Sequence, residues 1–282
     1  MAQPYVRAEL STYKRTTHIE KYRKKANSTI IMNQNSNALQ AENIHIQAPV
    51  VLVTGSAKRI GAAIVKAVHR QGYRVIIHCH RSEREANKLA DQLNESRPDS
   101  AMVLVADLAI VNNGAALDHF VQNVIEAFGQ LDVLVHNASR FYPSPLGRIN
   151  HAQWDELFLT NAKVPLLLSQ ALLPYLKQQR GCIISLLDIH AQDRPFNNYT
   201  VYNMAKAAHR MMVQSLALEL APEVRVNGIA PGVNILPDPN GDQALDNAQQ
   251  QNIIDSIPMQ RIGKPEEIAH SVLYLVQAHY VT

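Results

Sequence analysis

An α/β fold, a single domain built on one doubly wound parallel sheet, is predicted by three features of the 282-residue sequence. Short β-branched runs alternate with longer helix-like segments from Pro49 almost to the end. The first run opens into a glycine turn, Thr54-Gly55-Ser56-Ala57-Lys58-Arg59-Ile60-Gly61, which leads into a helix. Far downstream, Tyr202 and Lys206 stand four residues apart in Tyr202-Asn203-Met204-Ala205-Lys206, a spacing that puts both on one helix face. Short strands joined by helices of this length need right-handed crossovers, and these cover both faces of a parallel sheet.

The elements follow in order. Val50–Val53 is the apolar strand feeding the glycine turn, Ala62–Gln71 is helix-like, Arg74–His78 is a second strand and Glu83–Asn94 a second helix. Strand Ala101–Val105, helix Ala115–Phe128 and strand Val133–Asn137 continue the alternation, followed by a long helix over Trp154–Gln178. Strand Cys182–Leu186, helix Tyr202–Leu220, strand Arg225–Ile229 and helix Pro265–Ala278 complete it. The Gln/Asn-biased stretch Asn240–Asn252 reads as a loop or short helix.

Composition narrows the function classes. Apolar residues make up 46% of the chain, ample for a sizeable core. The net charge of +3 is uneven: residues 1–30 alone carry a net +5, which leaves about −2 on the remainder. The basic excess thus belongs to the tail, and nucleic-acid binding by the domain is not expected. Residues 1–48 are polar and without lasting periodicity, so they are expected to be a disordered tail, separate from a domain over residues 49–282. Residues 1–31 read as the product of an upstream start codon, with an organelle transit peptide as the competing idea. No apolar stretch approaching a membrane span stands out, and a cytoplasmic protein is expected. Cys79 and Cys182 lie in separate apolar runs without metal or redox spacing, which points to buried thiols in a reducing compartment.

Several positions carry chemistry. Gly55 and Gly61 let backbone approach a pyrophosphate, with Lys58, Arg59 and Ile60 between them, and the helix that follows offers free N–H groups to the anion. A fold of this kind that prefers NAD places an acidic residue after the second strand; this chain has His78-Cys79-His80-Arg81-Ser82. Arg81, Ser82 and His78 can receive a 2′-phosphate, with His80 counted in the same cofactor set, so NADPH is the cofactor expected. A metal site on His78 and His80 lacks further ligands at a usable spacing. Asp107-Leu108 follows the third strand, where the carboxylate either meets an adenine amine or caps a helix. Asn137-Ala138-Ser139 closes the fourth strand; Ser139 is placed beside the cofactor, and Asn137 either there or in a structural tie. Asp188 ends the fifth strand, at the edge where open α/β sheets bind ligands, and Tyr199 is assigned to the substrate wall. Lys206 is expected to lower the Tyr202 pKa and to hold a cofactor ribose.

With these residues in place the chain resembles the short-chain dehydrogenase/reductase family over about residues 49–282. The resemblance rests on Thr54-Gly55…Gly61, Asn137-Ala138, Asn161, Tyr202-x-x-x-Lys206, and Arg225-Val226-Asn227…Pro231-Gly232. Within the family it is most similar to the pteridine and dihydromonapterin reductases, through Arg59 in place of a glycine, His78-x-His80-Arg81-Ser82, Phe141 after Asn-Ala-Ser, and Asp188 where most members have serine. This implies a Rossmann-like homotetramer in which NADPH reduces a pterin. Phe141 and the nicotinamide sandwich the substrate, with Arg59 and Ser139 beside it. Tyr202 and Asp188 relay the proton, and Asn161 supports a relay water. Pro231 and Gly232 complete the cofactor set. The family's last strand, a Val-Asp-Gly-Gly segment, is not found before Thr282, so a tetramer is expected only if that ending permits it. Two alternatives stand beside the pterin reading: a reductase of carbonyl or 3-oxoacyl-thioester substrates, and a truncated NADPH-binding protein without turnover.

Overall fold

The computed structural model describes residues 47–282 apart from 192–193, 235 and 237–243. The expectations for residues 1–46 lie outside the described residues. Six strands form one sheet: β1 (Val50–Val53), β2 (Arg74–Cys79), β3 (Ala101–Val105), β4 (Val133–His136), β5 (Cys182–Leu186) and β6 (Arg225–Ile229). Their order is β3-β2-β1-β4-β5-β6, and every neighbouring pair is parallel. The chain winds outward from β1 in both directions, so the strand order reverses between β1 and β4 and a crevice opens at their carboxyl ends.

The helices are α1 (Arg59–Arg70), α2 (Glu83–Ser96), α3 (Gly114–Phe128), α4 (His151–Phe158), α5 (Val164–Gln178), α6 (Thr200–Leu220), α7 (Asn247–Ser256) and α8 (Pro265–Gln277). The period of two along β1 assigns the layers. Val51 and Val53 pack with Ile64, Val68, Leu89 and Val272 from α1, α2 and α8. Val50 and Leu52 face Phe120, Val124, Leu168 and Val213 from α3, α5 and α6. All four residues of β1 are buried, as expected for a parallel strand covered on both faces.

Two expectations need revision. The helix predicted over Trp154–Gln178 is divided: α4 begins at His151, where Asn150 and Gln153 form a reciprocal capping box, and a π turn over Leu159–Lys163 separates it from α5. The run His151–Gln178, whose most apolar 18-residue window has a mean hydropathy of 1.2, is also long and apolar enough by length and composition to cross a membrane, contrary to the expectation that no such stretch stands out. Its apolar side serves the core, through Leu157, Val164, Leu168, Leu172 and Leu176. Within the Gln/Asn-biased stretch, the residues from Asn247 on are helical, capped by Asp246 and Gln249.

β6 is the outermost strand on its side of the sheet. The residues after α8 fold back onto it: Asn227 donates to the Val281 carbonyl at 2.9 Å, and the Val226 N–H donates to Thr282 Oγ1 at 3.0 Å. The two cysteines are free and buried, and burial raises the Cys182 thiol to about 11.

Candidate active site

One cleft of about 1080 Å³ at the carboxyl ends of the strands takes in every site residue named from the sequence except Asn161. Its floor is the turn after β1. Gly55 has φ +63°, a left-handed conformation that glycine adopts without strain, and an added Cβ would press on Ala138 at 3.0 Å. At Gly61 a Cβ would fall 2.6 Å from Ser56 Cα and 2.7 Å from Asn137 Nδ2, so only glycine lets α1 approach this closely. Asn137 fastens the turn by donating to the carbonyls of Thr54 and Gly55, both at 2.8 Å, which resolves its role in favour of a structural tie. No side chain caps the first turn of α1, so its N–H groups point at the cleft free to take an anion. Lys58, at the N-cap, pairs with Glu85 at 2.7 Å on the exposed rim. A narrow glycine cradle beneath an uncapped helix end fits the diphosphate of a dinucleotide.

His78 departs from expectation. It is buried, its Nδ1 accepts from the Gly55 N–H at 3.0 Å, and its Nε2 faces the Ala106 carbonyl at 3.1 Å. Burial lowers its pKa to about 4. A neutral ring with both nitrogens engaged cannot receive a phosphate; it braces the glycine turn against the end of β3. Arg81 and Ser82 line the cleft wall. His80 leans toward Asp107, 3.6 Å away. Asp107 caps a short 3₁₀ turn at Leu108–Asn112 by accepting from the Ala109 N–H at 3.0 Å, the capping alternative left open for it.

The opposite wall carries the titrating groups. Tyr202 and Lys206 lie on the buried stripe of α6. The Tyr202 hydroxyl donates to Asp188 Oδ2 at 2.6 Å, while Asp188 Oδ1 accepts from the His190 N–H at 2.9 Å. Burial, then the Asp188 charge and the hydrogen bond to it, push the phenol's pKa well above the ordinary tyrosine value. The expected lowering by Lys206 is therefore absent from this arrangement. The ammonium sits 5.9 Å from the ring centroid and donates to the Leu186 carbonyl at 2.9 Å. Burial lowers the Lys206 pKa to about 8, with Asp188 opposing. Asn161 lies behind the cleft in the π turn. Its amide donates to the carbonyls of Arg140 and Leu157, and its oxygen accepts from Ser139 at 2.6 Å.

Above Tyr202 stands a wall of rings. Phe141 stacks on Tyr199 with centroids 4.5 Å apart, and meets Tyr202 edge-on at 4.8 Å. Phe196 and His190 extend the wall, with ring centroids 3.7 Å apart. Neither was singled out in the sequence: His190 follows Asp188 by two residues, but Phe196 lies in a loop without periodicity and is placed only by the fold.

A parallel sheet of this order, with a glycine cradle after β1 and a tyrosine-lysine pair on α6 facing the end of β5, defines an oxidoreductase of the nicotinamide-dependent kind. The chain belongs to the short-chain dehydrogenase/reductase family: the family model described as enoyl-(acyl carrier protein) reductase matches residues 55–282. Among its relatives, pteridine reductase 1 of Leishmania tarentolae is 35% identical over 83% of this chain and 93% of its own length. Ketoacyl reductase 2 of the granaticin polyketide synthase of Streptomyces violaceoruber is 33% identical over 84% and 92%. The oxidoreductase YmfI of Bacillus subtilis is 29% identical over 82% and 93%.

Proposed function

We propose that this enzyme reduces a dihydropterin with NADPH. The observation that carries the reading is the 2.6 Å hydrogen bond from Tyr202 to Asp188, set beneath a wall of aromatic rings. A pterin is flat, aromatic and polar at its edge, so rings match its faces and a carboxylate matches its amino edge. The 35% identical Leishmania tarentolae relative supports the same substrate class.

NADPH would supply the hydride. Arg81 and Ser82 would hold its 2′-phosphate, the turn from Gly55 to Gly61 with the end of α1 its diphosphate, and Lys206 its nicotinamide-side ribose. Tyr202, kept protonated by burial and by Asp188, is the proton donor to the ring nitrogen next to the reduced carbon. Asp188 orients that donor and, after turnover, would pass to it a proton taken up from solvent. Arg59, at φ +52° in the turn, lines the same cleft and would contact the pterin or the diphosphate.

The same reading includes a homo-oligomer, a tetramer by family resemblance. Met204, Met211 and Leu218 recur every seventh residue along α6 and are exposed, and Trp154 and Leu166 are exposed on the neighbouring helices. The alternative substrate, a 3-oxoacyl thioester, draws support from the ketoacyl reductase relative. The test is NADPH consumption with a dihydropterin and with an acetoacetyl thioester, each repeated with Asp188→Ala. Dihydropterin turnover that falls about 100-fold or more in the variant is expected. Turnover of the thioester alone, surviving Asp188→Ala, would replace the pterin reading. Cofactor binding without turnover of either would make the chain a binding protein.

A further inference from the structure

Behind Lys206, on the side away from the cleft, lies a buried group of polar side chains that the proposed reaction does not use. His209 follows Lys206 by three residues on α6, so both lie on its sheet-facing side. Its ring meets His136 of β4 edge-on, with centroids 6.1 Å apart. His136 is register partner to Ser185 of β5, which sets both side chains on the same face of the sheet. His136 Nε2 bonds Ser169 Oγ of α5 at 2.8 Å. Four atoms in this group lack a well-formed hydrogen bond among the described residues: His136 Nδ1, Ser185 Oγ and both ring nitrogens of His209, one of which has only a poorly aligned contact with the Asn161 carbonyl. His209 and His136 are each 2% exposed and Ser185 0%.

One orphaned polar atom in a core is a tolerable cost, but three orphaned atoms beside a fourth that is poorly bonded are not. Each neutral imidazole offers one donor and one acceptor, and a hydroxyl offers both. Burial keeps both rings neutral, and the Lys206 charge pushes His209 the same way. Lys206 has the complementary shortage, because its ammonium carries three N–H donors and gives one to Leu186. The Asn161 carbonyl borders His209 as well. Orphaned acceptors therefore stand next to underused donors in a polar setting, the condition under which a core retains water.

We propose that His209 and His136 are positioning residues that hold internal water against the Lys206 ammonium. The water accepts from Lys206 and donates to His209, and Ser185 and His136 complete its shell. Lys206 is thereby fixed from behind, leaving its remaining N–H free for the cleft. This assigns a role to residues outside the cleft, beyond the support expected of Asn161, and it rests on the reading of Tyr202 and Lys206 as the reacting pair.

A high-resolution crystal structure of the NADPH-bound protein tests the water directly, whatever substrate the enzyme takes. Ordered water within hydrogen-bonding reach of both Lys206 Nζ and a His209 ring nitrogen is the expected result. A dry pocket, with the two rings bonded to each other or to protein alone, overturns the proposal. Turnover of whichever substrate the enzyme reduces is then compared in His209→Leu and His209→Gln. Loss of a hydrogen bond to a charged group predicts a kcat about tenfold lower in the leucine variant, with glutamine, which keeps a donor and an acceptor, restoring most of it. NADPH affinity measured by fluorescence should stay within about twofold in both variants, since neither residue borders the cleft. Equal kcat in all three proteins, or equal loss in both variants, shows packing alone and sinks the positioning role. If His209→Leu fails to fold, Ser185→Ala with the glutamine variant carries the same comparison. Failure of pterin turnover bears on the substrate and leaves the water result standing.

Discussion

At the scale of single residues the site is governed by burial. Tyr202 keeps its proton because it is buried beside a carboxylate, and on the proposed reading it is this held proton that is delivered to the substrate. Tyr202→Phe should lower turnover by about 10²–10⁴-fold while leaving NADPH affinity nearly unchanged, read from steady-state rates and cofactor fluorescence. A tyrosine and lysine four apart announce themselves in the sequence, but the direction of a pKa shift depends on neighbours that only the fold assembles. The same holds for His78, whose partners Gly55 and Ala106 lie 23 and 28 residues away. Buried neutral histidines also set the response to acid. His78 and His136 have pKa values near 4 and 3 in the folded chain, against 6.5 unfolded, so the unfolded state binds more protons below pH 6.5. Stability is then full above that pH and falls as pH drops toward 4. Each ring should cost about 2 kcal/mol between pH 7 and pH 5, measured by urea unfolding. A flat profile over that interval would contradict the assignment.

At the scale of elements, strands were the most legible part of the sequence. Val50–Val53, Ala101–Val105, Cys182–Leu186 and Arg225–Ile229 have the predicted bounds, and the central strands Val50–Val53 and Cys182–Leu186 are legible because they are buried along their whole length. The π turn at Leu159–Lys163 was not legible, since it is a shift in hydrogen-bond register rather than in composition. Yet it is what places Asn161 behind Ser139. The junction of β1 and α1 depends on Gly61. Gly61→Ala would drive a Cβ into Ser56 and the Asn137 amide, so a loss of about 1–3 kcal/mol is expected, together with weaker NADPH binding. Thermal unfolding with and without cofactor separates the two effects.

For the whole molecule, the crossover rule makes parallel pairing readable from the alternation of elements, whereas the exposed apolar stripe on α6 becomes visible only when its buried stripe is known. Met211 is 61% and Leu218 84% exposed, although Tyr202, Lys206 and His209 occupy the opposite side of the same helix. An association face and a reacting face back to back on one helix would tie assembly to the site. Met211→Asp with Leu218→Asp should yield a smaller species by light scattering, with the helical circular dichroism retained. An unchanged mass would assign the stripe no part in self-association.

The stack of Phe141 on Tyr199 also has a bearing on substrate choice. The two rings satisfy one another in the space a substrate would enter, and thus behave as an internal competitor for each other's faces. On the proposed reading, an aliphatic guest that displaces Tyr199 from the Phe141 face would forfeit about 0.5–1.5 kcal/mol of ring contact and return none of it, whereas a planar conjugated guest stacking on that face, with the nicotinamide on its other side, would restore it. A site at rest in this state would favour flat molecules over aliphatic ones before any bond is made.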